Sequence, residues 1–139
     1  MKDFKIGYTT GVFDMFHVGH LNILSRAKEL CDVLVVGVST DELVEEYKRR
    51  KPVIPFEERA AIVGAIKYVD RVVPQSSMDK LSAVKAVEAD VVFVGSDWKD
   101  SPQWLEYEKA FSTVGCRVIY LPHTEGISST ILRERLNLK

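Results

Sequence analysis

The sequence has few of the features that mark exported, membrane-bound or disulfide-stapled proteins. Its 139 residues include only two cysteines, Cys31 and Cys116, which do not form a CxxC pair. We therefore expect both thiols to be reduced and buried rather than bridged. No apolar run approaches the roughly 20 residues of a membrane span. Lys2, Asp3 and Lys5 interrupt the first six residues, which lead into a β-like run rather than into the apolar segment of a signal peptide. We expect a cytoplasmic protein with no membrane partner.

The chain also has no excess of charge of either sign. Nineteen Lys and Arg residues stand against 20 Asp and Glu, a net charge of −1. This balance excludes a polycationic nucleic-acid coat and an acidic solvating tail, so we expect no nucleic-acid partner. We see no internal repeat, low-complexity segment or linker. With 46% hydrophobic residues, the composition predicts a single globular domain over residues 1–139.

Short apolar runs alternate with segments of helical spacing. Continuous rather than alternating apolar residues indicate strands that are covered on both faces, as in a parallel sheet. The predicted fold class is therefore α/β, a Rossmann-like, doubly wound, five-stranded parallel sheet with helices on both faces. The predicted strands are 5–8, 32–38, 71–73, 90–94 and 117–121. One predicted helix follows the first strand. The others cover 40–46, 55–66, 79–89 and 102–114. A last predicted helix is capped by Ser128 or Ser129 and ends at Leu136.

The loop after the first predicted strand contains two histidines. His17 and His20 are three residues apart where a helix begins, so they share one face. Gly19 between them leaves room for another group to approach closely. A helix N-terminus offers free N–H donors and partial positive charge. The pattern predicts an anion site, most naturally for a polyphosphate. The alternative is that both are incidental helix-start residues. A zinc site would need further ligands that are not nearby.

Three other segments carry candidate residues, each with a structural alternative. Lys48–Lys51 is a run of four cations, which could bind phosphate or form a solvated loop. Asp97 could accept hydrogen bonds from a base or a sugar, or could cap a turn, while Trp98 and Trp104 could line a pocket or simply pack. Residues 123–130 enter the last helix, where hydroxyls could cap the helix, bind phosphate, or do both.

These motifs resemble a known family. His17-Val18-Gly19-His20 is similar to the HxGH signature of the nucleotidyltransferase superfamily, and residues 66–70, 94–98 and 124–130 resemble the RYVD, GDDW and RTEGIST segments of its cytidylyltransferase branch. Two positions depart from that pattern, since Lys67 and His123 replace arginines. Neither can copy the bidentate contact of an arginine with phosphate.

The resemblance implies transfer of CMP from CTP to a small phosphorylated alcohol, with sn-glycerol 3-phosphate as the favoured acceptor, giving CDP-glycerol and pyrophosphate. It also implies a homodimer with residues 67–70 near its interface, and Mg²⁺ that arrives with CTP instead of in a protein-built metal site. Another acceptor phosphate or phosphonate, a choline-like phosphate, ATP in place of CTP, and a non-catalytic nucleotide-binding module stay open as alternatives.

The resemblance also assigns expected roles to individual residues. His17, His20 and Lys48 are expected to be catalytic, Lys48 from a mobile loop. Asp14 is expected to brace the first loop. The expected nucleotide-binding residues are Gly11, Val12, Phe13, Gly19, Asp97, Thr124, Gly126, Ile127, Ser128 and Ser129. Possible contacts with substrate or phosphate are Arg50, Arg59, Lys67 and His123.

Overall fold

A computed structural model describes residues 2–137 as alternating strands and helices around one sheet. The strands are β1 (Phe4–Gly11), β2 (Cys31–Ser39), β3 (Arg71–Gln75), β4 (Val91–Gly95) and β5 (Arg117–Leu121). The helices are α1 (Val18–Leu30), α2 (Asp41–Lys48), α3 (Phe56–Gly64), α4 (Lys80–Val87), α5 (Pro102–Ser112) and α6 (Ser129–Arg135), with a short 3-10 turn at Ser96–Trp98. Within the described residues, no helix is long and apolar enough to cross a bilayer.

All five strands are parallel, in the order β3-β2-β1-β4-β5. This order confirms the predicted doubly wound sheet. The chain winds outward from β1 in one direction and then returns to β4 on its other side. The point where the direction reverses lies at the carboxyl ends of β1 and β4, which is where such sheets bind ligands.

Each face of the sheet carries its own apolar core, as the continuous apolar strands predict. One core packs α1 and α3 against the sheet through Leu24, Ala27 and Val63. The other packs α4 and α5 through Val84, Trp104 and neighbouring side chains. Cys31 and Cys116 lie one in each core as free, buried thiols, which confirms the prediction for both.

Polar side chains fix where the helices begin, and they refine the predicted boundaries. Thr40, Ser101 and Ser128 each accept a hydrogen bond from the first turn of the helix that follows. These caps satisfy backbone donors that a helix start leaves free. At the other end of α2, Arg49 has left-handed backbone (φ 57°) and stops the helix after Lys48. Lys48 is therefore the last residue of a helix, which corrects its expected place in a loop.

A buried tyrosine spans the middle of the sheet. Tyr8 is fully buried and its hydroxyl donates to Oε1 of Gln75, 2.6 Å away. The ring lies over Gly37 of the neighbouring strand, and a Cβ at that position would overlap the tyrosine hydroxyl. Gly37 is required here because it lets the ring reach across β2 to β3.

We expect Gly37→Ala to lower the free energy of unfolding by about 1–3 kcal/mol, the usual effect of overpacking a core. Gly64→Ala is the matched control. A Cβ at Gly64 meets only Val72 at 3.5 Å. Because glycine destabilises a helix relative to alanine, this replacement should leave the free energy of unfolding unchanged or slightly raised. Urea unfolding followed by circular dichroism measures both. Equal stability of the two variants would contradict the proposed close approach.

Candidate active site

A cleft of about 340 Å³ opens at the carboxyl ends of β1 and β4, at the predicted switch point. It brings together residues from the first loop, the Asp97 turn and the segment before α6, which are far apart in sequence. Its lining includes Gly11, Val12, Phe13, His17, Gly19, His20, Asp97, Trp98, His123, Thr124, Ile127, Ser128 and Ser129. Most residues that the sequence predicts to bind the nucleotide therefore lie around one cavity. Gly126 is not among the lining residues but forms the turn before α6 with φ +80°.

The two histidines are held by the start of α1. His17 is the N-cap residue, and its Nδ1 accepts from the backbone N–H of Gly19 at 3.1 Å. Nδ1 of His20 accepts from the N–H of His17 at 3.2 Å, which completes a reciprocal capping box. The two rings stack with centroids 3.8 Å apart. Because both Nδ1 atoms are acceptors, each neutral ring carries its proton on Nε2. The helix cap thus sets the tautomer and leaves two Nε2–H donors side by side.

Burial keeps both imidazoles neutral. The pKa of His20 is lowered to about 3 by burial and then by the neighbouring His17, with Asp14 opposing the shift. Its ring lies against Phe13 and Phe16, with centroids 5.3 and 5.2 Å away. Burial also lowers the pKa of His17. The site therefore presents hydrogen-bond donors to an anion without carrying full positive charge on these rings.

Gly19 makes the stacked arrangement possible. A Cβ at this position would lie 2.9 Å from the imidazole of His17 and 3.6 Å from Ile127. The group that approaches Gly19 closely is therefore the His17 ring itself, folded back onto the helix start. The preceding loop is equally constrained, since Phe13 and Met15 have left-handed backbone with φ of 55° and 49°. Such conformations persist only where surrounding contacts enforce them, as they do at many functional sites.

Asp14 provides part of that enforcement. Its two carboxylate oxygens accept from the backbone N–H groups of Val53 and Ile54, at 2.8 and 2.9 Å. Nη2 of Arg133 lies 3.7 Å from Oδ2 of Asp14 and donates to the carbonyl of Lys51. Asp14 therefore braces the first loop, as predicted, and also joins it to α6 and to the segment before α3.

Beside the cleft lies a basic recess of about 190 Å³, lined in part by His20, Lys48, Arg50 and Arg133. Burial and the neighbouring positive charges of Arg50 and Arg133 lower the pKa of Lys48, with Asp14 opposing the shift. The predicted cations Lys48 and Arg50 thus converge with a histidine of the cleft, whereas the sequence reasoning missed Arg133. Its spacing of four residues from Ser129 places both on one face of α6 and is the signal that could have found it.

The segment before α6 uses its hydroxyls in different ways. Oγ1 of Thr124 accepts from Nδ2 of Asn22, which joins this segment to α1. Oγ of Ser128 accepts from the N–H of Ile131, so its proton stays available for a ligand. The hydroxyl of Ser129 instead donates its proton to the carbonyl of Asp14. Of the two serines, Ser128 is the better placed to donate to a phosphate.

Two residues predicted to contact substrate do not line the cleft or the basic recess. Arg59 is 1% exposed, and its guanidinium donates to the carbonyls of Ile54, Val12 and Ser39 and pairs with Asp41 at 2.6 Å. It is a structural residue, because these bonds use most of its donors. Lys67 lies in the segment that enters β3, at the amino edge of the sheet. It is exposed there with Nζ 5.2 Å from the Tyr68 ring. The expected substrate contact of Arg59 is therefore wrong, whereas that of Lys67 stays a prediction.

The fold and the site together define a nucleotide-binding domain suited to polyphosphates. They combine a Rossmann-like sheet with two imidazole donors at a helix start and an adjoining recess of cations. Comparison with known proteins makes the class specific. Residues 8–135 match the family described as cytidylyltransferase-like. The chain belongs to this family, which confirms the resemblance.

Individual relatives agree with this assignment. The chain is 39% identical to glycerol-3-phosphate cytidylyltransferase of Bacillus subtilis (strain 168), over 92% of this chain and 94% of that protein. It is 40% identical to FAD synthase of Thermococcus kodakarensis, over 81% of this chain and 76% of that protein. Among solved structures, the lipopolysaccharide core biosynthesis protein of Thermoplasma volcanium superposes with a TM-score of 0.76 at 26% identity, covering 88% of this chain and 99% of that one.

The buried His20 makes the free protein sensitive to acid. Its pKa in the folded state, about 3, lies below the unfolded value of 6.5. Between these two pH values the unfolded chain therefore binds more protons than the folded protein does. This contribution to stability is complete above pH 6.5 and is lost as the pH falls toward 3. From this residue we expect a loss of about 2 kcal/mol between pH 7 and 5.

Urea unfolding of the nucleotide-free protein at pH 7, 6 and 5 measures the effect. His20→Gln is the matched variant, since glutamine can accept at the same helix position but does not titrate. We expect its stability to fall less steeply over this range. The same pH dependence in both proteins would show that His20 is not the buried base described here.

Proposed function

We propose that this chain transfers CMP from CTP to sn-glycerol 3-phosphate, giving CDP-glycerol and pyrophosphate. The observation that carries the proposal is the 39% identity to a glycerol-3-phosphate cytidylyltransferase over nearly the full length of both chains. The geometry of the site supports it, because two Nε2–H donors and a cluster of cations lie at the edge of the sheet where this class of fold binds ligands.

The reaction needs no general base, because the acceptor phosphate is already an anionic nucleophile. One of its oxygens forms a bond to the α-phosphorus of CTP, while the bond between that phosphorus and the oxygen bridging to the β-phosphate breaks. The electron pair leaves with pyrophosphate. Catalysis then consists of positioning the two substrates and stabilising the charge that develops on the transferring group.

The proposed roles follow from where each donor lies. His17 and His20 donate from Nε2 to the oxygens of the α-phosphate. The basic recess, with Lys48, Arg50 and Arg133, receives the β- and γ-phosphates and then pyrophosphate. Backbone N–H groups of Val12 and Phe13 and the hydroxyl of Ser128 complete the set of donors.

Asp97, Thr124 and Ile127 frame the nucleoside, and His123 contributes one donor at the rim of the cleft. All of these assignments rest on the placement of the residues around the cavity and on the proposed function.

Magnesium enters the proposal only with the nucleotide. Residues 2–137 contain no cluster of three or more His, Cys, Asp or Glu side chains that could hold a metal ion. The carboxylate of Asp14, which faces the basic recess, is already occupied by two backbone N–H groups and by Arg133. The side chains that bind the phosphates would therefore hold Mg²⁺ indirectly, as is usual for this ion. The Mg²⁺ ion would neutralise negative charge on the phosphate oxygens.

A second candidate, adenylyl transfer from ATP, is favoured by the 40% identity to an FAD synthase. That relative is matched over a smaller share of both chains than the glycerol-3-phosphate cytidylyltransferase, so we place CTP first.

Pyrophosphate release with CTP and with ATP, each assayed with sn-glycerol 3-phosphate and with FMN as acceptor, decides between them. We expect CTP to exceed ATP in kcat/KM by at least about 100-fold, as hydrogen-bonded sites discriminate. Preference for ATP, or binding of CTP with no turnover on any acceptor phosphate, would overturn the proposal.

We further propose a homodimer formed through the β3 edge of the sheet. Here β3 has a neighbour on one side only, and a groove of about 540 Å³ runs between β3 and α3 beside the segment 67–70. The nearby Ile62 is 45% exposed. Sedimentation equilibrium tests this state.

The free thiols of Cys31 and Cys116 are the observation that supports a reducing, cytoplasmic location.

We expect His20→Ala to lower kcat by about 10²–10⁴, because one of the two donors to the α-phosphate is lost. His20→Gln is the control that separates this loss from the loss of the helix cap, since it keeps an acceptor at the cap and supplies an amide donor. Its kcat should lie between those of wild type and His20→Ala. An unchanged kcat in His20→Ala, with folding verified by circular dichroism, would remove this histidine from the mechanism.

A further inference from the structure

The connection between β5 and α6, residues 122–128, forms one wall of the cleft. Four of its residues line the cavity: His123, Thr124, Ile127 and Ser128. The connection follows β5, whereas the histidines that line the same cavity come from the start of α1. Both walls can bind one ligand only if the connection is held at a fixed place relative to α1.

Two side chains of α1 hold the connection. Nδ2 of Asn22 donates to Oγ1 of Thr124 at 2.8 Å, and Nη1 of Arg26 donates to the carbonyl of Pro122 at 2.9 Å. Asn22 and Arg26 are four residues apart, so they lie on one face of the helix. The same helix begins with the histidine capping box. One helix therefore sets the positions of both walls of the cleft.

The bond from Asn22 also determines what the Thr124 hydroxyl can do. The amide nitrogen of asparagine carries only donor hydrogens, so Thr124 has to accept, and its own proton stays available. Within residues 2–137 the Thr124 hydroxyl makes no second hydrogen bond. Thr124 lines the cleft and Asn22 does not. The amide therefore lies behind the hydroxyl, and the proton of the hydroxyl is left for a ligand in the cleft.

Ser128, at the other end of the connection, is oriented in the same way. Its hydroxyl accepts from a backbone N–H in the first turn of α6, so that N–H does for Ser128 what the Asn22 amide does for Thr124. Ser129 shows the opposite arrangement, since its hydroxyl donates to the carbonyl of Asp14. Two neighbouring hydroxyls are thus presented as donors, while a third is used within the protein.

We propose that Asn22 is a positioning residue for nucleotide binding, because its amide holds the Thr124 hydroxyl as a donor toward the cleft. The inference rests on the proposed function for the nucleotide, since it takes CTP to be the occupant of this cavity. Asn22 itself touches no substrate and acts through Thr124. A donor that is already oriented avoids the entropy that a freely rotating hydroxyl loses when a ligand binds.

The test reverses this hydrogen bond. Asn22→Asp keeps the size of the side chain, but its carboxylate can only accept, so it takes the Thr124 proton away from the cleft. Asn22→Ala removes the partner and leaves the hydroxyl free to rotate. Calorimetric titration with CTP, without an acceptor, gives the dissociation constant. We expect Kd to rise by about 10–100-fold in Asn22→Asp and by about 3–10-fold in Asn22→Ala, as for a misdirected and a weakened hydrogen bond.

A double-mutant cycle separates orientation from charge, because Asn22→Asp also adds a negative charge near an anion site. Thr124→Val removes the hydroxyl and retains the shape of the side chain. If Asn22 acts through that hydroxyl, Asn22→Asp should lose most of its effect on the Kd for CTP in the Thr124→Val background. An equal effect in both backgrounds would overturn the proposal, since the added charge alone would then explain it.

The control is Arg26→Ala, which removes the other bond between α1 and the connection without altering the partner of Thr124. This bond is exposed to solvent, so we expect the Kd for CTP to change by less than about threefold. A loss equal to that of Asn22→Asp would contradict the inference, because tethering of the connection would then account for both variants. Thermal melting verifies that each variant folds.

The same titrations distinguish this inference from the proposed function. A wild-type protein that binds CTP but releases no pyrophosphate with any acceptor would refute the proposed transfer, while the Kd values would still decide the role of Asn22. A wild-type protein that does not bind CTP would refute both.

Discussion

The buried guanidinium of Arg59 is the constraint on which the shape of the site depends. One side chain, extending from α3, binds carbonyl oxygens of Val12, Ser39 and Ile54 and the carboxylate of Asp41. These acceptors belong to the loops after β1 and β2, the segment before α3, and the first turn of α2. A fully buried cation is costly unless every neighbour is an acceptor, so the loops have to converge on it. The positions of the cleft and of Lys48 follow from that convergence.

Asp14 and Arg133 form a second ion pair that extends the same principle. Asp14 accepts hydrogen bonds from the backbone N–H groups of two residues before α3, and Arg133 joins that segment to α6. The first loop is therefore held from two directions, which explains how left-handed backbone persists at Phe13 and Met15. These polar interactions act together with the packing of Phe13 in the core to fix the edge of the sheet where substrates would bind.

The fold was largely predictable from sequence, because apolar periodicity reports burial directly. The strands of the central sheet could be assigned from pattern alone, and the cap of the last helix could be narrowed to Ser128 or Ser129. Roles of individual cations could not. Arg59 and Lys67 are both basic residues beside predicted site segments. Whether such a side chain faces solvent, backbone carbonyls or a ligand depends on long-range contacts that no local pattern contains. Arg133 shows both sides of this limit. Its spacing from Ser129 marks its face of α6, but its partner Asp14 is 119 residues away in sequence, so the pattern alone does not give the contact.

The capping box at the start of α1 has an evolutionary consequence. His17 and His20 each accept a backbone hydrogen bond through Nδ1, whatever Nε2 does in the cleft. A substitution at either position therefore removes a helix cap as well as a donor that faces the cleft. A descendant that had lost its enzymatic role would still be under pressure to keep a hydrogen-bond acceptor at both positions, although glutamine at position 20 would serve the cap as well as histidine. The histidine pair on its own therefore reports the architecture of the helix start and does not by itself identify a working enzyme.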